Sequence, residues 1–207
     1  MIAMSITLVV LVAASALLAG SFNIRGREDQ RTAALADAQR ALNTMSREIA
    51  NSGFGLTGNG IVTTDSTTSA IRFRANLNAL DKQITSNSVA DPNEDVRYSL
   101  YSDATNSYIM RLDVNTGAQT TVLANRVDSL RFYYFADKVN YTNGTCAITL
   151  PSGVAEVTDK RNAKYIVIVV CVELQQQGAP GSPGYQPPSR VQLVSDITLR
   201  NADLYNY

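Results

Sequence analysis

The first 24 residues form an uncharged and strongly apolar run. No charged side chain occurs before Arg25, and the run exceeds the ~20 residues that a helix needs to cross a bilayer. A helix that is apolar on all sides requires lipid or several neighbouring helices around it. The side chains predicted to make these contacts are Ile6, Leu8, Val9, Leu11, Val12, Leu17 and Leu18.

Helical patterning continues beyond this run. Neither Gly nor Pro occurs between Arg27 and Asn51, and Gly53 follows as a C-cap. The pattern predicts one helix of about fifty residues, some 75 Å long. This continuity favours a retained helix over a cleaved secretory signal, although residues 14–16 resemble a signal cleavage pattern. One apolar stripe at spacings of three and four predicts packing on a single surface: Leu35, Ala38, Leu42, Met45 and Ile49.

Two glycines mark a weaker section between the halves of this helix. Gly20 and Gly26 each cost up to about 1 kcal/mol relative to alanine in a helix interior. We therefore predict that the helix bends or melts here in an assembly.

After Gly55 the pattern changes to alternating residues separated by turns, which is typical of strands. A helix followed by strands predicts an α+β fold, with a long N-terminal helix packed on a mostly antiparallel sheet. The predicted parts are residues 1–26 (membrane or polymerisation half), 27–54 (amphipathic half) and 55–207 (β-rich head). The predicted strands are 70–74, 96–101, 108–113, 129–135, 163–174 and 190–199.

Two features of the head have open interpretations. Residues 178–188 read GAPGSPGYQPP and contain four of the six prolines, which predicts a protruding hairpin loop with a binding surface as the less favoured alternative. Cys146 and Cys171 are the only cysteines. A disulfide between them is slightly favoured over two buried thiols.

Composition disfavours several classes of function. The formal charges cancel, so no field attracts nucleic acid, and we predict no nucleic-acid partner. The chain has no histidine, which removes the commonest general base and zinc ligand. Residues 91–95 begin like a calcium loop but lack its glycine and closing glutamate, so a solvated turn is preferred. We predict no enzyme activity, no metal and no cofactor.

The chain resembles the type IV pilins and the pseudopilins of type II secretion. Residues 45–55, MSREIANSGFG, are similar to the helix end of W-type minor pilins and J-type minor pseudopilins. Residues 123–134, LANRVDSLRFYY, and residues 197–201, ITLRN, resemble sheet segments of that group. Each of these segments is short, but they occur in the same order as in the family and together extend over nearly the whole chain.

The resemblance implies a structural subunit of a type IV pilus-like filament or of a secretion pseudopilus. It implies other pilins, an inner-membrane assembly platform and prepilin peptidase as partners, and a methylated N-terminus. The protein would lie in the bacterial inner membrane before assembly and in an extracellular pilus or periplasmic pseudopilus afterwards. A monomeric, membrane-anchored periplasmic binding module is the competing interpretation.

The sequence departs from the family at the glutamate that most pilins carry near the mature N-terminus. Ser5 occupies that position if Met1 is the mature start, and Ala3 occupies it if two residues precede Met1. Neither alternative supplies a carboxylate. This departure favours a minor or unconventional pilin.

Overall fold

A computed structural model describes residues 2–77, 89–103, 106–123, 126–182 and 184–202. Within these residues one helix, α1 (Ile2–Ala50), precedes nine strands and two short 3₁₀ turns, Thr63–Asp65 and Lys160–Asn162. The strands are β1 (Ala70–Arg74), β2 (Asp95–Ser102), β3 (Ser107–Asp113), β4 (Gln119–Leu123), β5 (Val127–Phe135), β6 (Thr142–Asn143), β7 (Ile148–Thr149), β8 (Tyr165–Leu174) and β9 (Ser189–Thr198).

The strands form antiparallel sheets. One sheet has the order β1-β2-β3-β4, a second has the order β5-β8-β9, and β6 pairs with β7. The α+β prediction, a long helix on antiparallel sheet, is confirmed. Strand β4 was not predicted, because the polar residues at its start are exposed and give no apolar alternation.

The second half of α1 packs on the head. The buried side chains of this half are Ala34, Ala38, Ala41, Leu42, Met45 and Ile49, and they share a core with β8 residues such as Ile166 and Ile168. Their neighbours Val167 and Val169 enter a second core on the opposite face of the sheet. This arrangement explains why β8 is apolar on both faces.

One residue of the predicted stripe lies outside this core. Leu35 is half-buried, whereas Ala34 and Ala41, which the stripe omitted, are buried. Small side chains at these positions allow the helix backbone to approach the sheet closely. At the N-terminal end of the contact, the buried face of α1 is therefore shifted by about one residue from the predicted stripe.

The helix ends at Ala50, and a tight turn follows it. Gly53 has φ of +81°, and a Cβ atom there would lie 2.4 Å from the Gly58 carbonyl oxygen. Only glycine fits this position without moving the backbone. The Asn59 amide fixes the next segment by donating to the carbonyls of Lys160 and Ala163, both at 2.8 Å.

Cys146 and Cys171 form a disulfide. Their Cα atoms lie 5.3 Å apart, and the bond closes a separation of 25 residues. Cys171 lies on the central strand β8 and is buried, so the bond fastens the segment around β6 and β7 to the head core.

Removal of this disulfide should destabilise the head. By loop-closure entropy a bond across 25 residues contributes about 3.5 kcal/mol. Urea unfolding with and without a thiol reductant should show this loss in the wild type. The Cys146→Ala/Cys171→Ala variant should show the loss without reductant and no further response to it. An unchanged unfolding midpoint after verified reduction would contradict the prediction.

Candidate assembly helix and its attachment to the head

The N-terminal part of α1 is apolar and exposed on every side. Residues 3–19 are all exposed except half-buried Ala16. All seven predicted polymerisation residues lie on this part; Leu8 is 67% exposed and Leu17 is 77% exposed. The helix is long and apolar enough to cross a membrane.

Hydroxyl groups in this part are bonded within the helix. Thr7 Oγ1 donates to the Met4 carbonyl at 2.9 Å, and Ser15 Oγ donates to the Leu11 carbonyl at 2.8 Å. These bonds satisfy the hydroxyl donors in the absence of water. Ala3 and Ser5 are both exposed, and the first carboxylate along the chain is Glu28.

Arg27, the first residue of the predicted amphipathic half, attaches the helix to the head. We define the β8–β9 loop as residues 175–182 and 184–188. Arg27 is 7% exposed, and its guanidinium donates to the carbonyls of Gln175 and Pro187 and to Ser189 Oγ, the last at 2.6 Å. This side chain therefore joins both ends of the loop to the helix.

The loop also contacts the helix through glycines. A Cβ atom at Gly184 would lie 2.6 Å from Gly20 Cα, so the two backbones are in direct contact. A Cβ atom at Gly26 would lie 3.5 Å from the Gln177 side chain. The segment joins β8 and β9 as a hairpin, as predicted, but Gln177 and Gly184 lie against α1 instead of protruding from the head.

The two helix glycines have a second interpretation in this geometry. The helix is continuous through Gly20 and Gly26, and Gly20 is buried. The backbone of Gly20 lies directly against Gly184 of the loop. Bending or melting in an assembly stays a prediction.

Gly184→Ala should detach the loop, and Gly181→Ala provides a matched control. Both glycines have positive φ, at +74° and +85°, so both variants carry similar backbone strain of about 1 kcal/mol. Only the Gly184 methyl would meet the helix, whereas nothing lies within 4 Å of the Gly181 position. We expect Gly184→Ala to cost about 1–3 kcal/mol more. Urea unfolding and amide exchange near Gly20 measure this difference, and equal effects would contradict the proposed contact.

The C-terminal part of α1 is fixed to the head by a polar network. Glu48 accepts hydrogen bonds from the Tyr98 hydroxyl at 2.8 Å and from Arg111 Nε at 2.9 Å. Burial, reinforced by the nearby Glu48 carboxylate, raises the pKa of Tyr98 above its ordinary value. Glu48 thus binds the helix to β2 and β3 by directional contacts as well as by packing.

The acidic residues at the start of β2 are structural. The Asp95 carboxylate is buried and pairs with Arg72 Nε at 2.7 Å and Arg74 Nε at 2.8 Å. Burial alone would raise its pKa, but hydrogen bonds from the two guanidinium groups outweigh burial and lower it. Glu94, also buried, accepts from the backbone N–H groups of Leu77 and Asp91. The predicted solvated turn is thus wrong for these two side chains.

Sequence reasoning missed Arg27 as an attachment residue. Its carbonyl partners lie 148 and 160 residues away along the chain. The one available signal was its position as a cation directly beside an apolar run, and this signal does not identify a partner. Gly184 was likewise one of several glycines in a turn-rich segment.

Comparisons with known proteins give one structural likeness. A type IV-like pilin from Thermus thermophilus is 15% identical, with a TM-score of 0.47, over 81% of this chain and 97% of that chain. No family model matches the chain, and no curated protein matches it. The likeness is one of fold and assigns no function.

Proposed function

We propose that the chain is a structural subunit of a type IV pilus-like filament and assembles through the apolar part of α1. The observation that carries this proposal is the exposure of residues 3–19 on all sides of a helix whose lower half is fixed to a folded head. An anchor for a single protein needs only lipid around it. A filament subunit needs a rigid connection between the buried helix and the head, and α1 provides one.

The same surface suits two environments. In the membrane, acyl chains cover the apolar side chains before assembly. In a filament, copies of the same helix replace the lipid, and small side chains such as Ala13, Ala16 and Ala19 allow close helix approach. The heads then form the outer surface, and partners are further copies of this chain or other pilins.

The missing carboxylate supports a minor or unconventional subunit. A buried carboxylate costs several kcal/mol unless it is paired, and such a pair would also define the register between subunits. Neither Ala3 nor Ser5 can form one. A subunit at a filament end needs no such pair on one side. A minor pseudopilin of a type II secretion system has the same architecture and is the second candidate.

Electron microscopy tests the filament proposal. The full chain, extracted from membranes and transferred out of detergent, should form ordered fibres with the helix at the axis. Fragment 25–207 should remain monomeric, since it lacks the apolar part of α1. Full-length protein that stays monomeric and folded, alone and with its co-purifying pilins, would instead support the membrane-anchored binding module.

Mass spectrometry of sheared fibres tests the finer assignments. A low ratio of this chain to other pilins would support a minor subunit, and a dominant ratio would refute it. The mass of the N-terminal peptide would show whether a leader is removed and the new N-terminus methylated, as the resemblance implies.

A further inference from the structure

The β8–β9 loop lies beside the last turn of the apolar helix. Residues 3–24 contain no charge, and at about 1.5 Å per residue they span roughly 33 Å, close to the ~30 Å hydrocarbon core of a bilayer. Gly184 contacts Gly20, which lies about 6 Å inside the end of this run. A bilayer that covers the apolar run must therefore reach the loop.

The composition of the loop fits this position. No charged residue occurs from Gln175 to Ser189, and Tyr185 lies on the side that returns to β9. The helix cation that faces the loop, Arg27, is occupied by its carbonyls and by Ser189. Uncharged chain with an amphipathic tyrosine suits the boundary between headgroups and acyl chains, where Tyr is enriched.

Hydrogen bonds hold the described residues of the loop in place. Gln177 and Gln186 exchange two backbone hydrogen bonds at 3.0 Å, and Tyr185 N–H donates to the Ser182 carbonyl at 3.1 Å. Together with the contacts to Gly20 and Arg27, these bonds fix the loop relative to the helix axis. Its depth in a membrane then follows from the depth of the helix.

We propose that the β8–β9 loop is a membrane-contact surface, which rests against the lipid headgroup region while the subunit is anchored and sets the depth and tilt of the head. The inference rests on the membrane stage of the proposed function. It adds a second contact with the bilayer, made by the head itself.

Tryptophan fluorescence tests this contact, because the native chain contains no tryptophan. The full chain is placed in phosphatidylcholine vesicles whose acyl chains are brominated near the carbonyl end. Tyr185→Trp should lose a large fraction of its emission relative to unbrominated vesicles, because a ring at the interface lies close to these bromines. Ala179→Trp, at an exposed position on the same loop, repeats the measurement without changing Tyr185.

Two further single-tryptophan variants separate the possible outcomes. Leu11→Trp reports insertion of the helix and should be quenched most by bromines near the middle of the bilayer. Tyr141→Trp is the matched control. The native Tyr141 hydroxyl contacts Asp196 near the end of β9 that is remote from the loop, so a tryptophan there should keep its emission.

Quenching of Leu11→Trp without quenching at either loop position would overturn the loop contact but leave membrane insertion intact. Unquenched Leu11→Trp would refute the membrane stage itself. Quenching of Tyr141→Trp would mean that the whole head lies on the bilayer, which also overturns the proposal.

Discussion

Leu11→Asp should abolish filament formation while the head remains folded. Leu11 is 69% exposed in the isolated subunit and lies near the middle of the apolar run. A carboxylate at such a position costs about 3 kcal/mol in a membrane-spanning helix, and every copy in a filament would carry this cost. Electron microscopy and sedimentation of sheared material should show no fibres. Leu8→Asp should behave in the same way.

Two controls isolate the effect of position from that of charge. Leu11→Met keeps an apolar side chain of similar size and should assemble normally. Thr64→Asp places the same new charge on an exposed part of the head and should also assemble. Urea unfolding should show a head of unchanged stability in all three variants. Normal fibres from Leu11→Asp would refute assembly through this helix.

Asp95→Asn should destabilise the head strongly. The carboxylate is 3% exposed and pairs with both Arg72 and Arg74. The change removes a buried carboxylate from two guanidinium groups, of which Arg72 keeps Asp65 as a partner and Arg74 is 40% exposed, so the cost should be about 1–3 kcal/mol. Urea unfolding of the wild type and variant at pH 7 measures this difference. A loss below about 0.5 kcal/mol, the range of ordinary surface changes, would show that the pair is not structurally important.

The effect of Asp95→Asn should depend on pH. Because the native pKa of Asp95 is lowered, its contribution is fully present above the unfolded pKa of about 3.9 and is lost as pH falls through the native value. The stability difference between wild type and variant should therefore be constant near neutrality and shrink below about pH 4. Asp137→Asn, at an exposed position, is the control and should change stability little at pH 7.

Much of the fold could be predicted because its signals are local. Successive residues alone determine that residues 3–24 are apolar and that a helix continues to about residue 50. The predicted bounds of β1 agree with the structure, and the continuous apolar run of β8 was predicted to be a strand. Both signals, strand alternation and a continuous apolar run, are also local patterns. Polar β4 and the short β6 and β7 lacked such a pattern and were missed.

The attachment of the helix was not predictable in the same way. Whether Ala34 or Leu35 faces the sheet depends on the rotation of a packed helix, to which a stripe of apolar residues is only a guide. The partners of Arg27 and Gly20 depend on where residues 175–188 return in space. A contact between segments some 150 residues apart leaves no periodic trace in either segment.

The sequence by itself determined that this protein has an uncharged apolar helix with no acidic residue before Glu28 and a β-rich remainder. Hydrophobicity and charge are properties of the residues, so the need for lipid or neighbouring helices follows without coordinates. Only the tertiary structure decided how much of α1 stays uncovered. It placed the β8–β9 loop against Gly20 and paired Asp95 with two arginines. These outcomes follow from long-range packing, in which each contact depends on the arrangement of all the others.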